Sequence, residues 1–251
     1  MKKSTIYAMI GALVLSACSD STGPDGQQTQ VSLSFSTARP ASAAPAPVSF
    51  FLSDTVVAGG DSLIITRARL VLREIELRRL SAPECMEEDD CEKFATGPLL
   101  VDLPLNGATA QAVSIAIPPD TYTEIEFEIH KPSNDTQADQ DFIQQNPDFA
   151  DASIRVEGTF NGTSFAFVTD LNEKQEFDLV PPLVVTETEL STNVTIRVDL
   201  AAWFADGQGG LVDPDSGNKG GANENLIKDN IRTSIEAFED EDRDGDDTDE
   251  D

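Results

Sequence analysis

The sequence predicts a mainly β protein: an antiparallel β-sandwich of Ig-like or transthyretin-like kind, with one C-terminal α-helix and an acidic tail. Three observations lead there. Short runs in which apolar and polar residues alternate recur along the 251-residue chain, the two-residue period of half-buried strands. Turn residues punctuate them, most clearly Asn161-Gly162, the dipeptide suited to a two-residue hairpin because both positions tolerate positive φ. A helical period without strand competition is confined to the stretch after residue 221. The length suits one substantial domain or two small ones.

Taken in order, Val31, Leu33 and Phe35 alternate with serine and read as a strand, and the Ala/Pro-rich residues 37–48 as a surface loop. Gly59-Gly60-Asp61 reads as a turn into a long strand over 61–80. Within it Ala68, Leu70 and Leu72 share one parity, whereas Ile75 and Leu77 take the other. One extra residue exchanges the two faces of a strand, so a β-bulge is expected near Arg73-Glu74. A helix is the rival reading, since Ala68, Leu72 and Ile75 also form a helical stripe; the β-branched content of 62–66 favours the strand. Strands follow at 99–103, 112–117 and 121–130. In the last, Ile125, Phe127 and Ile129 are expected to face inward and Glu124, Glu126, Glu128 and His130 outward. Arg67, Arg69 and Arg73 are expected to neighbour that glutamate row, because opposite charges across strands attract.

Residues 132–150 are polar and acidic, with room for one short helix. Asn161-Gly162 then predicts a hairpin register of Val156 with Phe167, Gly158 with Phe165 and Phe160 with Thr163. These six and Ile154 would share one face, with Phe165 lying over the bare backbone of Gly158. Residues 177–185 and 194–200 supply further strands, the latter with Val194, Ile196, Val198 and Leu200 inward. Trp203-Phe204 reads as closing the core, with a sugar-stacking platform as the alternative. The sandwich is thus assigned to 31–204, a Gly/Asp loop to 205–221, and a helix to 222–238 with the stripe Ile227, Ile231, Ile235 and Phe238. The acidic tail is 239–251.

The N-terminus has the three parts of an export signal: Lys2 and Lys3, an apolar run over 6–15, and the small residues Ser16 and Ala17 before Cys18. The apolar run is shorter than the roughly 20 residues a spanning helix needs. Leu15-Ser16-Ala17-Cys18 resembles the lipobox of bacterial lipoprotein precursors. The resemblance implies cleavage after residue 17, lipidation of Cys18 and a tether over 18–30; an ordinary signal with a chance cysteine is the alternative. Ser19 after the cysteine resembles outer-membrane sorting, so the expected location is the cell envelope, facing periplasm or exterior, with the membrane as partner through lipid. Ile64-Ile65-Thr66-Arg67-Ala68-Arg69-Leu70-Val71-Leu72 and Ile117-Pro118-Pro119-Asp120-Thr121-Tyr122-Thr123-Glu124-Ile125 are similar to stretches of uncharacterised bacterial lipoproteins with a β-rich domain of unknown function. That resemblance spans about residues 31–200 and implies no activity.

The net charge is −29, and loss of Lys2 and Lys3 takes it to about −31 by subtraction. Such a surface repels nucleic acid, whose binding requires phosphate neutralisation by Lys and Arg. It repels anionic head groups as well. Divalent cations and basic partners fit it, and a protein or glycan partner is left open. With Cys18 assigned to lipid, Cys85 and Cys91 form an even pair around Met86-Glu87-Glu88-Asp89-Asp90. A structural disulfide suits an oxidising envelope; the alternative, a redox or metal pair, sits poorly with a hard acidic loop lacking a nearby histidine.

Gly60-Asp61-Ser62-Leu63 resembles the nucleophile block of GDSL esterases. A serine there needs a histidine base oriented by a carboxylate, and the resemblance implies that this histidine lies late in the chain, three residues after an aspartate. The one histidine, His130, is mid-chain with Phe127 three residues before it, so no catalysis is expected and His130 reads as a surface residue. The most informative chemistry is at the C-terminus. Asp240, Asp242 and Asp244 would place carboxylates at positions one, three and five of a calcium loop, with Asp246 offering its carbonyl, Thr248 acting through water and Asp251 at position twelve. An aspartate in place of the bidentate glutamate, Asp247 at an apolar position and no exiting helix all depart from an EF-hand. The readings are a looser calcium loop or a solvated acidic tail. Asp206, Asp213 and Asp215 are a second candidate set.

Overall fold

A computed structural model describes residues 29–38, 53–81, 91–105, 107–186, 188 and 191–245. Along the chain run β1 (Thr29–Thr37), β2 (Asp54–Ala58), β3 (Asp61–Arg79), β4 (Cys91–Ala95), β5 (Leu99–Asp102), β6 (Thr109–Ile117), β7 (Asp120–Ile129), α1 (Gln137–Gln145), β8 (Ile154–Phe160), β9 (Thr163–Thr169), β10 (Glu173–Val185), β11 (Ser191–Val198), α2 (Leu200–Trp203), α3 (Glu224–Arg232) and β12 (Ile235–Glu239). They form the predicted β-sandwich. One sheet has the order β12-β11-β1-β6; the other contains the path β10-β7-β3-β8-β9, with β2, β4 and β5 also paired to β3.

β3 is the long strand read from the sequence, and its length explains the large sheet. Its 19 residues outrun any single partner, so one edge pairs with β8 and then β7, the other with β2, β5 and β4 in turn. The expected bulge is present: the β3–β7 register shifts between Arg73 and Glu76, and Glu74 has φ +51°. It converts the alternation error of the sequence into continuous burial, since Leu70, Leu72, Ile75 and Leu77 all lie in the core. Gly59 and Gly60, both at positive φ, make the β2–β3 turn.

The Asn161-Gly162 hairpin has the predicted register, Val156 against Phe167, Gly158 against Phe165 and Phe160 against Thr163. Asn161 and Gly162 both take positive φ. Phe165 does lie over Gly158, and Phe165 and Phe167 meet Phe204 edge to face. Trp203 is fully buried, so the aromatic pair closes the core. Opposite this cluster, Val31, Leu33, Phe35, Val194, Ile196 and Val198 fill the sandwich from the small sheet. β10 stands at one end of the large sheet's path and carries Pro181 and Pro182, residues that blunt an edge strand because they cannot donate to a further ladder.

Several expectations are corrected. The helix expected over 222–238 ends at Arg232, where Thr233 and Ser234 hydroxyls bond the last carbonyls, and Ile235–Glu239 is instead β12, antiparallel to β11. The stripe was half right: Ile227 and Ile231 are buried on α3, whereas Ile235 joins the core from a strand and Phe238 lies under the Arg197 guanidinium. The small sheet is not wholly antiparallel, because β1 runs parallel to β11. Strands β2 and β4 were not anticipated. The glutamate row does neighbour β3, with Arg73 on Glu128 at 2.6 Å, but Arg78 meets Glu124 and Glu126. Arg67 instead pairs with Asp102, and Arg69 with Asp148.

α3 is fastened to the sandwich by Asp170, which accepts bonds from Lys228 at 2.8 Å and Lys219 at 3.0 Å. The Lys228 and Lys219 ammonium groups hold its carboxyl down at about 2. A depressed carboxylate contributes stability above its unfolded pKa, near 4, and loses it as the pH falls through about 2. We expect Asp170→Asn to cost about 1–2 kcal/mol at pH 7, discounted for solvent screening, and to flatten the acid limb of stability. Thermal unfolding between pH 2 and 7 measures this; parallel profiles for the two chains would refute it.

Candidate metal centre

Register delivers the C-terminal aspartates to one place. β12 pairs with β11 from Val198 opposite Ile235 to Val194 opposite Glu239, and the next residue, Asp240, donates its amide to the Asn193 carbonyl at 3.1 Å. Its side chain is fully buried. Ser34 Oγ bonds Asn193 Oδ1 at 2.7 Å, Asn193 Nδ2 bonds Thr195 Oγ1 at 2.9 Å, and Thr195 Oγ1 donates to Asp240 Oδ2 at 2.6 Å. The chain then turns back on itself: the Asp244 amide donates to Asp240 Oδ1 and Asp242 Oδ1, each at 3.1 Å, and the Gly245 amide to Asp240 Oδ2 at 3.2 Å. Gly245 is required twice over. Its φ is +84°, and a Cβ there would sit 2.5 Å from Thr109 Oγ1 and 3.0 Å from Ser36 Cβ.

One carboxylate oxygen from each of Asp240, Asp242 and Asp244 lies within 4.8 Å of the others, with Asp240 buried and the other two exposed. Burial raises the Asp240 carboxyl above its usual range; the bonds from Thr195, Gly245 and Arg243 oppose this without overcoming it, and the Asp244 charge adds to the rise. The donors that reach Asp240 are neutral, so its charge is met by dipoles and not by a cationic side chain. Asp240 Oδ2 already accepts two bonds, from Thr195 and Gly245, whereas Oδ1 accepts the Asp244 amide and keeps a lone pair. Three hard oxygens at this spacing fit a cation such as calcium. The element entering the turn is a strand and not the helix the sequence suggested, so this is no EF-hand. Asp246, Thr248 and Asp251 lie outside the described residues, as do Cys18 and Cys85; Cys91 opens β4 and is buried.

The other candidates are structural in what they touch. Asp206 accepts amides of Gln208 and Gly210, which hold its carboxyl low; Asp213 accepts the Asp215 amide, and Asp215 that of Ala166. The carboxylates of Glu124, Glu126 and Glu176 also converge. Arg78 lies against Glu124 at 2.8 Å and against Glu126, while Lys174 reaches Glu126 at 2.6 Å and Glu176 at 2.9 Å. Two cations already occupy that cluster.

His130 is not a surface residue: it is buried, with Nε2 2.9 Å from Asp139 Oδ1. Its outward parity was right, but α1 and the turn after it cover that face, packing Phe142 and Phe149 on Val71. Burial pushes the Asp139 carboxyl up, but bonds from His130 and from Ser133 outweigh it and leave it lowered. Thr136 caps α1 on the Asp139 amide, a Thr-to-Asp spacing that was legible in the sequence as a helix start. Ser62 is remote from this pair. His130 donates its amide to Val71, nine positions along β3 from Ser62, or roughly 25–30 Å. The two do not make a nucleophile–base couple.

No family model matches the chain, and no curated relative does. Among solved structures, MbnP from Methylosinus trichosporium aligns with a TM-score of 0.34 at 12% identity, over 70% of this chain and 78% of that chain. Among the described residues no helix is long and apolar enough to cross a membrane.

Proposed function

We propose that this is a lipid-anchored cell-envelope protein with a binding or structural role and no catalytic step, whose C-terminal turn holds a calcium ion that fixes the chain end to the small sheet. The observation that carries the calcium reading is the convergence of Asp240, Asp242 and Asp244 around a fully buried carboxylate met by neutral donors. The lipobox-like Leu15-Ser16-Ala17-Cys18 supports the anchor, and the acidic surface supports attachment by lipid instead of charge. The ligands are exposed on one side, which suits the weak affinities of extracellular calcium modules, Kd on the order of 0.1–1 mM.

The raised Asp240 carboxyl fixes the pH dependence. A carboxyl raised on folding contributes stability below its unfolded pKa, and that contribution is lost as the pH climbs through the folded value. In chelator, ionisation of Asp240 therefore weighs against folding as the pH rises, and calcium offsets it. We expect about 1.4–2.7 kcal/mol of stabilisation from 10 mM calcium at pH 7 and less at pH 4. Calorimetric titration and thermal unfolding of the full chain check this, beside Asp242→Asn with Asp244→Asn, whose side chains are exposed. Equal calcium shifts in the native chain and the double variant, or none in either, would remove calcium from the reading.

A further inference from the structure

Four large apolar side chains stand 55–76% exposed among the described residues: Val57, Leu80, Val180 and Val184. Three of them share one end of the sandwich. Leu80 donates its amide to the Thr121 carbonyl at 2.8 Å, and Thr121 lies opposite Val184, so Leu80 and Val184 flank one position of β7 on the same row. Val180 belongs to the irregular stretch of β10 in which Asp178 to Leu183 spans five steps while its partner, Glu124 to Tyr122, spans two. Val57 is elsewhere, opposite Ser62 at the far end of β3.

The chain leading to Cys18 enters at the same end as these three. Thr29 opens β1 opposite Ile117, and its hydroxyl bonds the Thr186 carbonyl at 3.0 Å, directly after β10 finishes at Val185 opposite Asp120. Ten residues separate Cys18 from Thr29, and ten residues reach at most about 35 Å. Acyl chains on Cys18 would keep this end, and not the Val57 end, within that distance of a bilayer. Exposed apolar groups rimmed by polar residues mark sites of contact with a partner or a membrane.

We propose that this end of the sandwich rests on the lipid surface, with Leu80, Val180 and Val184 entering the interface; the inference builds on the lipid anchor proposed above. The anchor supplies the attachment and the three side chains set the orientation, which leaves the Val57 end pointing away from the bilayer. The net charge of −29 disfavours anionic head groups, so the surface that fits is zwitterionic.

The test uses the full chain, processed in a bacterial host and reconstituted in phosphatidylcholine vesicles with brominated acyl chains, which quench tryptophan at short range. Val184→Trp reports on the proposed contact and Val57→Trp on the opposite end; the buried Trp203 is a background common to both. Both sites are exposed, and circular dichroism verifies the fold. We expect at least about two-fold quenching of the Val184→Trp reporter and none of the Val57→Trp reporter. Mass spectrometry of the N-terminal fragment reads lipidation separately. A lipidated Cys18 with equal or absent quenching at both positions overturns the docking and leaves the anchor standing. An unlipidated chain overturns both. Absence of quenching together with a dimer that Leu80→Ser and Val184→Ser dissociate assigns the patch to a second copy, and overturns the membrane contact.

Discussion

Gly158→Ala is expected to be among the most damaging single substitutions in this chain, costing about 3 kcal/mol or more. Gly158 lies in β8 between Phe165 on one side and Ile65 on the other. A Cβ there would overlap the Ile64 carbonyl oxygen and stand 3.0 Å from Phe165 Cε1. The overlapped atom is backbone, and it cannot retreat without breaking the β3–β8 ladder from Leu63 to Leu70. Gly162→Ala is the natural control. Gly162 has φ +80°, and a Cβ added to it would find nothing within 4 Å. Alanine there meets open space and bears only the left-handed backbone, about 1–2 kcal/mol. Urea unfolding of the two variants ranks them; a Gly158→Ala chain no less stable than the Gly162→Ala chain would show that β3 and β8 are not held as described.

The second large effect is expected at Asp139. Its two oxygens accept from His130 Nε2 at 2.9 Å and from the Ser133 amide at 3.0 Å, and it sits in the first turn of α1. Removing it strands a buried imidazole and a partly buried amide together, a loss of about 2–4 kcal/mol for Asp139→Ala. Asp139→Asn retains an acceptor and should cost less. Because the Asp139 carboxyl is lowered on folding, its contribution is present above its unfolded pKa and fades as the pH drops through the folded value. Equilibrium unfolding gives the magnitude, and hydrogen exchange across 133–149 tells whether the loss is local. An Asp139→Ala chain within about 0.5 kcal/mol of the native one would mean that the pair does not hold α1 on the sheet.

The legibility of the fold follows from how local each signal is. The Asn161-Gly162 hairpin was readable partner by partner because its turn, register and inward face all lie within one short stretch of chain. The β3 bulge was readable because a parity flip is written in consecutive side chains. The C-terminal helix was half misread because Ile227, Ile231, Ile235 and Phe238 satisfy a helical stripe, and nothing local says that Ile235–Glu239 will find an open edge on β11. The aspartate spacing 240-242-244 was visible in the sequence. The burial of Asp240 was not, since it depends on Ser34, Asn193 and Thr195 from distant strands.

By itself, then, the sequence determined the strand periods, the hairpin, the bulge, the inward faces and the acidic character of the chain, because each is fixed by neighbours along the backbone. Tertiary structure alone decided the parallel pairing of β1 with β11, the sharing of β3 among five partners, and the covering of His130 by α1. It also decided the gathering of Leu80, Val180 and Val184 beside the start of β1. Each of these depends on which edges and faces remain open once the rest of the chain has folded. Alternation says which way a side chain points, and only the assembled sheets say whether water, protein or another surface meets it there.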